Sequence, residues 1–189
     1  MIFISQKAEH NYVGVNCGIM DQYASMFGQD NHAFLLDCRT TIATPFLIDF
    51  KEYELLLINT NVKHSLADSA YNNRRAVCEH VASLLKVKAL RDTTEEALLT
   101  IKDQISEEDY QKALFVVQEN NRAQLASEAM TANDIEKLGE LVFGSHNGLQ
   151  HQYQVSCDEI DFLVDQAKES DDVIGSRMMG GGCGGCTIN

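Results

Sequence analysis

The sequence is poor in basic residues, holds one proline and has no tryptophan: 15 Lys+Arg stand against 28 Asp+Glu in 189 residues. The resulting net charge of −13 repels phosphate backbones, which argues against non-specific nucleic-acid binding. An anionic ligand stays compatible where helix N-termini or glycine-rich backbone supply amide donors. No apolar run approaches the roughly 20 residues that cross a bilayer. Met1-Ile-Phe-Ile-Ser5 is too short, and too poor in basic residues, for the core of a signal peptide. The expected setting is cytoplasmic, with no membrane partner. One proline and no low-complexity tract or repeat argue against a linker-joined array.

What is present suits a compact fold. Apolar residues make up 44% of the chain, enough for one domain, or one domain and part of another. Six cysteines, at 17, 38, 78, 157, 183 and 186, are scattered among helical and strand-like patterns, so free thiols are expected rather than a disulfide framework. From 8 to 28 the spacing predicts one helix, with Val15, Ile19, Tyr23 and Met26 as its apolar stripe. Strands are expected at 33–37 and 42–48, the second at an edge because of Pro45. The apolar run 54–59 reads as a central strand. Capping boxes at Ser65, Ser106, Thr131 and Ser156 open helices running to about 86, 130, 153 and 168. In the second of these, Leu114, Val117, Asn121 and Leu125 lie along one face. A strand at 173–179, a loop at 180–185 and the start of a strand at 186–189 complete an α+β pattern.

Three segments could carry chemistry. On the first predicted helix, Gly14, Gly18, Asp21, Ser25 and Gly28 share a face. Glycine inside a helix costs about 1 kcal/mol relative to alanine, so the face serves either close helix packing or a ligand pressed against backbone beside Asp21. A sugar hydroxyl would satisfy that carboxylate. The stretch 59–75, with Tyr71, Arg74 and Arg75, passes from a strand into a helix through a polar corner. It is either a binding segment or a capped helix with solvated arginines. Gly180, Gly181, Gly182, Gly184 and Gly185 permit positive φ and close backbone approach, as in a phosphate cradle or a flexible connector. No Lys-Ser/Thr follows, so this is not a Walker A loop. Cys183-x-x-Cys186 lacks the second pair a zinc site needs, and His146 and His151 are off a common helical face. No metal ligands are expected here.

In order, these segments resemble the galactokinases, of the GHMP superfamily of sugar and small-molecule kinases. Glu9-His10 through Val15-Asn-Cys-Gly-Ile-Met-Asp-Gln22 is similar to the family's catalytic helix, and Phe34-Leu-Leu-Asp-Cys-Arg39 to the strand after it. Asn59-Thr-Asn-Val-Lys-His-Ser-Leu66 with Tyr71 and Arg74-Arg75, and Ser145-His146 followed by Tyr153-Gln-Val-Ser-Cys-Asp-Glu159, resemble galactokinase signatures. Arg177-Met-Met-Gly-Gly-Gly with Gly184-Gly-Cys186 resembles the third superfamily motif.

The resemblance implies transfer of phosphate from ATP to the anomeric hydroxyl of α-D-galactose. Asp21 would take the proton of that hydroxyl or orient it. Gly18 and Tyr71 would hold the sugar, and the glycines at 180–185 would support the phosphate site. ATP and Mg²⁺ are implied as co-substrate and cofactor, held mostly by residues outside this chain. The fold implied is the two-domain GHMP kinase arrangement cut short. Residues 1–50 would be a remnant of the N-terminal domain and 51–189 an incomplete ferredoxin-like C-terminal domain. The isolated chain is then expected to show little or no kinase activity. Alternatives are a kinase for N-acetylgalactosamine or a uronic acid, and a non-catalytic galactose and ATP sensor. Two departures stand out: Cys183 where the family pattern is aromatic, and Gly148 where it commonly has serine. Oligomeric state stays unassigned.

Overall fold

A computed structural model describes residues 1–62, 67–182 and 184–189, with side chains for all of these except 67–71. The order is α1 (Ile2–Ala8) continuing into a π-helical turn (Glu9–Val13), α2 (Met20–Phe27), β1 (His32–Asp37), β2 (Ile42–Leu47) and β3 (Leu57–Asn59). α3 (Ala67–Leu84), α4 (Glu95–Leu99), α5 (Glu107–Ala132), α6 (Ile135–His151), α7 (Asp158–Lys168), β4 (Arg177–Met178) and β5 (Cys186–Ile188) follow. Short 3₁₀ turns at Leu90–Asp92 and Lys102–Gln104 flank α4. No helix among the described residues is long and apolar enough to cross a membrane.

α5 organises the interior. Ser106 accepts from the Asp109 amide at its start, as the capping box predicts, and Asn133 closes it in the left-handed conformation. Its burial does not follow the expected stripe: Asn121 is exposed, and Leu125 is 38% exposed. α5 instead meets two separate cores. Tyr110 and Ala113 join Val81, Leu90, Leu98 and Ile101 in one, while Phe115 joins Leu149, Val155, Ile160, Val164 and Met178 in the other. A helix sandwiched in this way needs apolar residues on more than one face. Later starts shift by a residue or more. Asp134, not Thr131, caps α6, because Thr131 is still inside α5 and bonds back to the Ser127 carbonyl at 2.8 Å. Cys157, not Ser156, precedes α7, and Ser156 donates to Asp161 at 2.5 Å.

The strands form two sheets. β1 and β2 pair antiparallel from His32↔Leu47 to Asp37↔Ile42, so Pro45 does lie on an edge. The second sheet has the order β3-β5-β4, all antiparallel. The run 54–59 is therefore an edge strand rather than a central one, and Leu55, Leu56 and Leu57 are each more than half exposed. The strand expected at 173–179 shortens to two residues.

Crossed ion pairs fasten the β1–β2 turn to the 3₁₀ turn before α4. Arg39 forks onto both oxygens of Asp92 at 2.9 and 2.6 Å, and Arg91 donates to Asp37. The Arg91 guanidinium, then the Arg39 amide, lower the Asp37 carboxyl to about 2. A depressed carboxylate stabilises the fold above its ordinary range, and that contribution disappears as pH falls toward about 2. Carboxyl-carbon NMR should find Asp37 titrating near 2, and Arg91→Ala should return it toward 3.8. An unmoved midpoint would show that the pair does not form.

Candidate active site

The first predicted helix is broken, which corrects the shared glycine face. Gly14 ends the π-helical turn in the left-handed conformation, φ 81°, its amide donating to the Glu9 carbonyl at 3.0 Å. Residues 14–19 form a loop, tightened where the Cys17 amide donates to the Val15 carbonyl at 2.8 Å. Ile19, 4% exposed, anchors the loop's far end, and Asp21 lies in the first turn of α2. Gly14 and Gly18 are thus not mid-helix residues and carry no helical penalty. Gly18 is of particular interest. A Cβ built there meets nothing within 4 Å and its φ is not left-handed, so close packing does not explain the glycine among the described residues. Asp21 is exposed, with no hydrogen-bond or ion-pair partner among the described residues.

Two helices hold this loop. From the N-terminal side, Gln6 Nε2 and His10 Nε2 both donate to the Cys17 carbonyl at 3.0 Å. From α3, Asn72 Oδ1 accepts from the Asn16 amide at 2.9 Å while its Nδ2 donates to the Gly14 carbonyl at 2.8 Å. Arg75 donates to the Asn16 carbonyl at 2.8 Å. Arg74 donates to the Tyr153 and Gln154 carbonyls at 2.8 and 2.9 Å, fixing the chain after α6. The two arginines are backbone anchors, not merely solvated cations. Tyr71 lies in α3, but its side chain is outside the described residues, as are the Ser65 cap position and Cys183.

The glycine loop is a packed support. Gly180, Gly182, Gly184 and Gly185 all have positive φ, whereas Gly181 does not. A Cβ at Gly182 would lie 2.2 Å from the Val155 carbonyl, and one at Gly184 would lie 2.8 Å from that of Val62. The amide and hydroxyl of Thr60 donate to the Gly185 carbonyl at 2.9 and 2.8 Å. The loop is therefore seated on the segment that leads toward α3, and α3 in turn holds the loop before Asp21.

Under the glycine loop, His146 is buried, and the Met178 amide donates to its Nδ1 at 3.4 Å. Its Nε2 faces Asp161 Oδ1 at 3.2 Å without the alignment of a good hydrogen bond. Burial pushes the imidazole down, against the pull of Asp161, which keeps it neutral as a strut between α6, α7 and β4. Among the described residues no three His, Cys, Asp or Glu side chains cluster as a metal site. A groove of about 290 Å³, lined in part by Phe50, Tyr53, Leu56 and Leu138, includes neither Gly18 nor Asp21.

Comparison with known proteins places this arrangement. Residues 126–188 match the family model described as GHMP kinases C terminal. Over 188 residues the chain is 42% identical to the galactokinase of Thermosipho africanus, covering 100% of this chain and 53% of that protein. It is 42% identical to the human galactokinase over 185 residues, 98% of this chain and 47% of the relative. The chain is similar to the C-terminal part of galactokinases. The solved structure of Lactococcus lactis galactokinase complexed with galactose superposes with a TM-score of 0.93 at 34% identity, over 99% of this chain and 50% of that one. The chain thus spans about half the length of the galactokinases it matches. One departure from the galactokinase pattern has a local cause. A Cβ at Gly148 would lie 2.5 Å from the ring of Phe115, which is 4% exposed and cannot withdraw, so a serine does not fit beside this phenylalanine.

Proposed function

We propose that this chain supplies the sugar-facing side of a galactokinase site, for transfer of the ATP γ-phosphoryl group to the anomeric hydroxyl of galactose. The observation that carries the reading is the pairing of Gly18 with Asp21. Open backbone, with no protein atom within 4 Å of a built Cβ, leads directly into a helix turn bearing an exposed carboxylate without a partner among the described residues. A sugar ring can lie on that glycine and present a hydroxyl to that carboxylate. The galactose complex of the Lactococcus lactis relative supports a hexose as the ligand.

In this reading Asp21 accepts the hydroxyl proton, or holds it while charge develops, and the sugar oxygen bonds to the γ-phosphorus as the bond to the bridging oxygen of ADP breaks. Phosphoryl transfer rests mainly on positioning and charge stabilisation, so the loop that aims Asp21 matters as much as the carboxylate. Tyr71 is assigned to the sugar, and the glycines at 180–185 to support of the phosphate side; the close approach of Gly182 to Val155 and of Gly184 to Val62 suits a buttress better than a cradle. ATP is the donor proposed from the similarity to galactokinases. The described residues offer no metal cluster, and no step is assigned to Mg²⁺. We assign residues 1–50 to a remnant of the N-terminal GHMP kinase domain and 51–189 to an incomplete C-terminal domain.

The test is a chimaera in which this chain replaces the matching stretch of the Thermosipho africanus galactokinase. Initial rates with ATP are compared for galactose, N-acetylgalactosamine and galacturonate. Galactose should be preferred at least tenfold, because a substituent a site cannot accommodate commonly costs one to several powers of ten. Preference for either other sugar, or binding without transfer, would refute the assignment.

A further inference from the structure

The geometry points to Asn72 and Arg75 as a clamp that positions the sugar-binding loop, so that α3 sets the affinity of the site for a hexose. This rests on the galactokinase reading of Gly18 and Asp21. The two side chains are three residues apart and share a face of α3. Between them they engage three polar groups of the loop backbone: the Gly14 carbonyl at 2.8 Å, the Asn16 amide at 2.9 Å and the Asn16 carbonyl at 2.8 Å.

Asn72 uses its amide as a neighbouring strand would use a peptide, accepting and donating at once. Neither test substitution can do this, because alanine offers neither group and an ionised aspartate offers only acceptors. Glu79 accepts from Arg75 Nε at 2.8 Å, which fixes the guanidinium that reaches Asn16. Gln6 and His10 hold Cys17 from the opposite side, so the loop is suspended between two helices. Residue 18 follows immediately, and Asp21 begins the next turn. A shift of the clamp therefore moves the glycine and the carboxylate together relative to α3. Sequence reading alone treats position 72 as an ordinary helix residue, because its partners lie 56 and 58 positions away.

Isotope-labelled chimaera tests this in one sample, through amide exchange at Asn16 and the galactose dissociation constant read from the Gly18 and Asp21 amide shifts. Asn72→Ala should speed Asn16 exchange and weaken galactose each by about tenfold, the size of one or two net hydrogen bonds. Asn72→Asp keeps the acceptor for Asn16, so it should preserve Asn16 exchange while still weakening galactose through repulsion at the Gly14 carbonyl. A purely structural role would lower the unfolding midpoint and leave the dissociation constant within twofold, and that result overturns the proposal. So does unchanged Asn16 exchange in Asn72→Ala. If the unsubstituted chimaera shows no galactose-dependent shifts, the galactokinase reading fails, and exchange at Asn16 alone decides the clamp.

Discussion

Replacing Asp21 with asparagine is expected to lower galactose phosphorylation by the chimaera on the order of 10³-fold, with galactose affinity changed only a few-fold. General acid–base groups contribute about 10²–10⁴-fold, and a charge aimed at the reacting oxygen adds electrostatic stabilisation of similar size. Asparagine keeps the shape and one acceptor oxygen, so a sugar hydroxyl can still bond to it. It removes the negative charge and the capacity to take a proton. The structure makes this a clean substitution for the fold, since Asp21 is exposed and pairs with no described residue. At the start of α2 a carboxylate interacts favourably with the helix dipole, and losing that costs about 0.3–1 kcal/mol at an exposed site. Such a loss cannot account for a thousandfold fall in rate. A pure stability defect would reduce the amount of folded enzyme while sparing turnover per folded molecule.

The largest expected change in stability comes from Gly139, where α6 crosses the segment leading to β4. A Cβ there would lie 2.0 Å from the Ile174 carbonyl oxygen and 2.6 Å from the Ile174 side chain. On the other side, Gly175 would place a Cβ 2.8 Å from the Gly139 Cα. The two backbones touch, so the obstacle is main chain and not a side chain that can turn away. Overpacking of this kind costs about 1–3 kcal/mol and sometimes more. The gain in helix propensity from glycine to alanine is about 1 kcal/mol. Because the obstacle is backbone the cost falls at the top of that range, and Gly139→Ala should destabilise by about 2 kcal/mol net, a fall of roughly 4–8 °C in unfolding midpoint for a chain of this size. Gly144, one turn on in the same helix, supplies the contrast. Its built Cβ meets only Arg122 Nε, at 3.4 Å, a guanidinium nitrogen that can shift. There the propensity term wins, and Gly144→Ala should raise stability by about 0.5–1 kcal/mol. Thermal unfolding of the two variants side by side checks the sign as well as the size.

Those glycines also show what sequence reasoning could and could not reach. The long helices were legible because their signals are local: Ser106 reads as a cap and performs as one. The hairpin followed from apolar runs around the polar turn at 38–41, with Pro45 rightly on an edge. The loop at 14–19 was not legible, because i, i+4 spacing of apolar residues arose across a segment that Gly14 breaks with a positive φ. A helical wheel cannot detect that, and of its two readings of the glycine face, helix packing or a ligand beside Asp21, the open space around Gly18 removes the first among the described residues. Apolarity alone reads the run 54–59 as a central strand. Leu55 and Leu56 instead form one wall of the groove with Phe50 and Leu138. The anchoring by Asn72, Arg74 and Arg75 depends on pairings across more than 50 positions, which no local pattern encodes. Asp21 comes from the shared face as one of two open readings, and the resemblance assigns it the sugar hydroxyl; the structure moves it from mid-helix to the first turn after a suspended loop.

The most direct measurement is phosphorus NMR of ATP and galactose incubated with the chimaera, in unsubstituted and Asp21→Asn forms. The account predicts a galactose 1-phosphate signal growing with ADP in the first and, over the same hours, essentially none in the second. Equal accumulation of product in both would show that Asp21 is not the catalytic carboxylate.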